Sequence, residues 1–230
     1  MASRSGIRLQ TTFLRSPQLW FNHITAMCFV IFLLVGRNVH SSSLPLTPQF
    51  AMAQVGFVAL FGALNPGMTA LSLEHLGVWV LRSAPFSARQ ILTAKFTVAF
   101  GQAGVVAAVS AAALAIGYRF SPQIAAVMVA FAVCASASAI SAGIAFDSTF
   151  PSFAWENPNQ INRGLRMVIP FLVNVATLAV CSALLFAAQF VIPNHGLALG
   201  VGLTGSIALQ AAVAIAALRM ARRNIALLEV

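Results

Sequence analysis

IAAVMVAFAVCASASAISAGIAF, Ile124 to Phe146, is a run of 23 residues without a charge. As a helix rising 1.5 Å per residue it is about 35 Å long, enough to cross the ~30 Å hydrocarbon core of a bilayer. A second charge-free run, Val168 to Leu218, has room for two crossings joined by a turn over Pro193 to Gly196. The rest of the chain follows suit. Of its 230 residues 60% are hydrophobic and 7% charged, and the mean hydropathy is +0.90. A soluble domain of this size needs a charged surface. The expected fold class is an all-α polytopic membrane protein; a transmembrane barrel would need short alternating segments, which are absent.

Working outward from that run predicts six transmembrane helices, at about 19–35, 50–64, 96–116, 124–146, 167–191 and 197–218, in a single transmembrane domain over 1–230. The first is the weakest, because Asn22 and His23 dilute its start. Residues 1–18 form an N-terminal segment without a small-residue cleavage pattern after the apolar stretch, so it is read as retained and not as a signal peptide. Asn65, Pro66 and Gly67 are expected to break the second helix. Two polar stretches remain, 68–90 and 147–166.

Charge sets the orientation. With the N-terminus in the cytoplasm, Arg4, Arg8, Arg15, Arg82, Arg89, Lys95, Arg163, Arg166, Arg219, Arg222 and Arg223 lie inside, and only Arg37 and Arg119 outside. Eleven against two predicts that both termini and both polar stretches are cytoplasmic. The net charge of +9 is thereby a matter of topology and not of nucleic-acid binding.

Absences exclude several functions. No predicted span holds Lys, Arg, Asp or Glu, which proton-driven carriers and voltage sensors need. GxxxxGK[ST], HExxH and GxSxG are all missing from the sequence. Cys28, Cys134 and Cys181 fall within apolar spans and read as small buried hydrophobes, so no metal site is expected. The four histidines are scattered over both sides. The chain is therefore expected not to be an enzyme and to hold no cofactor or catalytic residue. Small residues crowd the fourth span, from Cys134 to Gly143, and the start of the sixth, at Gly200, Gly202, Gly205 and Ser206. Close helix packing is the favoured reason, with the lining of a path as the alternative.

The polar stretches are richer than connectors need. Leu71 to Pro85 can form a short helix with Leu73, Leu76 and Val80 on one side, Glu74 early and Arg82 late, in the order favoured by the helix dipole. It suits either an interfacial helix anchored by Trp79 or a docking helix for a cytoplasmic partner. The second stretch holds Phe150, Pro151, Phe153, Trp155, Glu156, Asn157, Pro158, Asn159, Gln160, Asn162 and Arg163, and its prolines and aromatics predict a structured non-helical loop.

Glu74, then Trp79-Val80-Leu81-Arg82-Ser83-Ala84-Pro85, then a segment closing on Ala94-Lys95, resembles the coupling-helix region of type-2 permeases of ATP-binding-cassette exporters. Pro151, Phe153, Trp155-Glu156-Asn157-Pro158 and Gln160 resemble the signature between the fourth and fifth spans of a bacterial exporter subfamily. The likeness covers Leu71 to Arg166 in detail and the rest by layout. It departs at His75, where the family has glycine. The resemblance implies a permease subunit of the bacterial inner membrane, as a half-size unit or a piece of a longer permease, paired with a second permease unit and embedded in membrane lipid. It also implies a P-loop ATPase partner carrying ATP and Mg. Leu76, Trp79 and Leu81 would pack into a cleft on that ATPase, Glu74 and Arg82 would make polar contacts there, and Pro85 would end the coupling helix. Trp155 to Arg163 would brace the second loop. The alternatives are a membrane scaffold without an ATPase and a lipid-modifying membrane enzyme.

Overall fold

The computed structural model describes residues 17–39, 47–73, 86–152 and 165–228. Six helices make up the described fold: α1 (Pro17–Val39), α2 (Pro48–Met68), α3 (Ala88–Gly117), α4 (Pro122–Thr149), α5 (Leu165–Val191) and α6 (His195–Leu228). No strand occurs among the described residues. Among the described residues, helices α2 to α6 are long and apolar enough to cross a membrane, and α1 holds an apolar stretch at His23–Gly36. Five helices thus have the length and apolarity of a span, and α1 overlies the remaining expected one, the weakest of the six.

Local chemistry fixes the starts. Thr47 caps α2, its side chain accepting from the Phe50 amide, and Pro48 takes the first turn, where its missing N–H costs nothing. Ser87 and Gln90 form a reciprocal capping box on α3, and Ser121 with Pro122 opens α4. The Asn194 carboxamide accepts from the Gly196 and Leu197 amides ahead of α6. The turn after α3 closes with Arg119 N–H on the Ile116 carbonyl and Phe120 N–H on Ala115, a Schellman arrangement. Arg119 occupies its left-handed position at φ 56°, where glycine is the usual choice.

The expected break at Asn65-Pro66-Gly67 does not occur. Pro66 is buried inside α2, which continues to Met68. Thr69 re-closes the last turn, its amide and hydroxyl both donating to the Asn65 carbonyl at 3.2 and 3.0 Å. The other helices also outrun their predicted spans, because a cap and not the end of apolarity terminates a helix. Thus α3 begins at Ala88, and α6 carries on through Arg219, Arg222 and Arg223.

Helix α4 is the hub, packed against α2, α3, α5 and α6. Its small residues are there for close approach. A methyl on Gly143 would stand 2.8 Å from the Met68 nitrogen, and one on Gly67 would stand 2.8 Å from the Ile140 carbonyl oxygen. The two backbones thus touch with nothing between them. Gly202 of α6 plays the same part against Leu185 of α5, 2.9 Å from its Cα, while Gly200 faces open space.

Two hydrophobic clusters fill the bundle. One joins Ala26, Met52, Val55, Leu114, Met128, Phe131 and Leu185, the other Leu71, Ile91, Leu92, Ile140, Ile144, Ala221 and Ile225. The second cluster brings the end of α2, the start of α3 and the ends of α4 and α6 to one end of the bundle. At the opposite end, the Tyr118 hydroxyl donates to the Gln54 carboxamide at 2.7 Å. The outer faces are apolar, as a lipid-facing surface requires, with Ile31, Phe32, Leu172, Phe190 and Val201 exposed.

Candidate functional site

Both polar stretches leave the bundle at the end formed by the second cluster, and one side chain holds their roots together. Asp147 lies in the last turn of α4 and is fully buried. Its Oδ2 accepts from the Leu71 amide at 2.7 Å and the Ser72 amide at 2.9 Å. Its Oδ1 accepts from the Ser72 hydroxyl. That hydroxyl oxygen in turn accepts from the Ser152 amide at 2.9 Å. Ser72 therefore sits between the carboxylate and the first residues of the second stretch.

The local sequence explains the knot. After Thr69 the chain makes one more tight turn, in which the Leu73 amide reaches the Thr69 carbonyl. That geometry turns the amides of Leu71 and Ser72 outward from α2, and buried amides need an acceptor. A carboxylate offers several lone pairs and makes the stronger, charge-assisted bonds. A second tie runs to α6: the Asn224 carboxamide donates to the Ser148 hydroxyl at 3.2 Å and the Thr149 hydroxyl at 2.9 Å. Lys95, in the second turn of α3, is 4% exposed and is not without a partner.

Two charged groups are thus buried within helices of the bundle, where the sequence reading expected none. That reading ended one span at Phe146 and began another at Phe96, leaving Asp147 and Lys95 one residue outside. The structure continues both helices through them. The signal available was a lone acid immediately after a 23-residue charge-free run; its partners Leu71 and Ser72 were not readable from the sequence.

Of the expected site residues, Pro151 is described and half-buried beside Ser152. Glu74, Leu76, Trp79, Leu81, Arg82 and Pro85 lie outside the described residues, as do Phe153, Trp155, Glu156, Asn157, Pro158 and Arg163. The structure therefore brings together the roots of the two stretches, not their tips. No group of three potential metal ligands occurs among the described residues. A further polar spot lies deeper, where α2, α4, α5 and α6 line a half-open cavity of about 20 Å³ that includes Ser138, Asn174, Thr177 and Gln210. Ser138 Oγ and Gln210 Oε1 have no hydrogen-bond partner there.

The Asp147 carboxylate takes three donors and ties a loop root to a central helix.

A family model described as "Putative ATP-binding cassette" matches residues 12–229. No curated protein and no solved structure matches the chain significantly. The family match overturns one expectation from the sequence, that the chain is not an enzyme. That expectation rested on the absence of nucleotide-binding and catalytic motifs, and the family's description is of an ATP-binding cassette.

Proposed function

Because the chain belongs to the family described as "Putative ATP-binding cassette", we propose that it is the membrane-spanning permease of an exporter driven by ATP. In this reading the bundle sits in the bacterial inner membrane with its arginine-rich end and both termini in the cytoplasm. A P-loop ATPase carrying ATP and Mg docks against residues 74–85. Leu76, Trp79 and Leu81 fill a cleft on it, and Glu74 and Arg82 make the polar contacts. Residues 155–163 brace the second loop.

The observation that carries the proposal is the Asp147 knot. A docking segment drives transport only if its motion reaches the spans, and a flexible tether would dissipate it. Here the segment's root is bonded through Leu71 and Ser72 to the last turn of α4, and α4 packs on four other helices. A push on 74–85 becomes a movement of the hub. In this reading the path for cargo lies between the bundle and a second permease unit, and an apolar or amphipathic molecule suits the apolar outer faces that would line it.

The test is purification of the tagged chain in mild detergent from its native host, with mass spectrometry of whatever accompanies it. The expected result is a P-loop ATPase that the combined Trp79→Ala and Arg82→Glu substitutions release. Absence of any such ATPase, under conditions that keep a control transporter intact, overturns the proposal.

A further inference from the structure

Helix α6 does not stop where its apolar sequence stops. It runs on past Leu218 to Leu228, carrying Arg219, Arg222 and Arg223. These fall at i, i+3 and i+4, hence on one face. All three are exposed, and none makes an ion pair or hydrogen bond to a described residue. The opposite face is locked down, with Ala221 fully buried and Ile225 3% exposed in the cluster that also contains Ala88, Ile91 and Leu92 of α3. The stripe is therefore held rigidly outward. Arg89, exposed in the first turn of α3, adds a fourth guanidinium at the same end of the bundle.

The spacing identifies the ligand. From Arg219 to Arg223 the helix rises about 6 Å. A bilayer about 40–45 Å thick with a ~30 Å core leaves a headgroup layer of about 5–8 Å on each side. All three guanidiniums thus sit within one headgroup layer, directly beyond the apolar part of the helix. Exposed Met220 lies between Arg219 and Arg222, and exposed Leu227 one turn beyond Arg223, as on a surface in contact with both acyl chains and headgroups. Guanidinium groups bind phosphate oxygens through paired N–H donors.

We infer that the exposed face of α6 at Arg219, Arg222 and Arg223 is a binding site for the phosphate of anionic phospholipids. The site holds the end of α6 against the membrane surface, next to the Asn224 tie to α4. It is independent of the exporter reading, since it needs only that the bundle lies in a bilayer.

The test is native mass spectrometry of the full chain in detergent, titrated with phosphatidylglycerol and phosphatidylcholine in competition. Each arginine near a charged lipid surface is worth a factor of about five. Three together set an upper figure of about 100-fold for the preference of the intact stripe for phosphatidylglycerol, and at least about tenfold is expected. The combined substitution Arg219→Gln, Arg222→Gln and Arg223→Gln should bring that preference below about threefold while the helical content and unfolding temperature stay put. Replacing the same three by lysine should restore part of it, and Arg119→Gln at the other end should leave it intact. Three outcomes overturn the inference: a triple glutamine variant that keeps the preference, a native chain that has none, or displacement of the lipid by millimolar inorganic phosphate.

Discussion

Removing the Asp147 carboxylate should unfasten the first polar loop and leave the bundle folded. In Asp147→Ala the amides of Leu71 and Ser72 and the Ser72 hydroxyl lose their acceptor. A hydrogen bond to a charged group contributes about 1.5–3 kcal/mol. Counting only the two backbone bonds at the lower figure gives about 3 kcal/mol, or roughly a hundredfold in the local opening equilibrium. Global unfolding need not follow, because α2 is held along its length by Met52, Val55, Ala59 and Ala63, all buried. Hydrogen–deuterium exchange in nanodiscs reads the effect site by site. The amides of Leu71 and Ser72 should exchange about a hundredfold faster, those of α2 before Asn65 unchanged. Asp147→Asn should fall between, since one carboxamide oxygen remains but its NH2 faces a donor. Ser72→Ala, which keeps both backbone bonds, should give about tenfold at most. If Leu71 and Ser72 exchange within threefold of the native rate in folded Asp147→Ala, the joint is not what holds this loop.

Four further outcomes follow from the packing. Gly143→Ala puts a methyl 2.8 Å from the Met68 nitrogen and should lower stability by about 1–3 kcal/mol as α2 and α4 part, seen in thermal unfolding in detergent. Gly202→Ala should do likewise against Leu185, while Gly200→Ala, with nothing within 4 Å, should be neutral or raise stability by up to about 1 kcal/mol. Arg119→Gly should raise stability by about 1 kcal/mol, because Arg119 holds φ 56°, a left-handed conformation that penalises a side chain; the same unfolding assay checks it. Asn224→Ala removes two hydrogen bonds to the end of α4 and should cost about 1–2 kcal/mol, with faster amide exchange over residues 219–228 as its local signature.

Most of the fold was legible because apolarity and length decide it. Long charge-free runs predict long apolar helices, and five helices among the described residues are long and apolar enough to cross a membrane. The ends were misjudged, since hydropathy falls off before a helix does. Thr69 carries α2 past Pro66, Ser87 starts α3 eight residues before the apolar part, and α6 continues through three arginines. The same error hid the knot. Asp147 looked like a residue just outside the membrane, and nothing in its neighbours says that its acceptors point at Leu71 and Ser72, some 75 residues away. That pairing depends on the Gly67–Gly143 crossing, which sets the register of α2 on α4 and is visible only in three dimensions. Of the small residues in α4, Gly143 packs against the backbone of α2 while Ser138 lines the cavity, a division not readable from composition.

The central claim is that force applied at the docking loop reaches the bundle through Asp147. Its most direct test follows the far end of the bundle in the assembled complex, reconstituted in nanodiscs with its ATPase. A nitroxide would be attached at Arg119→Cys in a Cys28→Ser, Cys134→Ser background, and its mobility and distances recorded before and after trapping with MgATP and vanadate. The account predicts a change at this position in the otherwise native chain, and none once Asp147→Ala is added while the ATPase stays bound. An equal change in both, or no change in either, would contradict it.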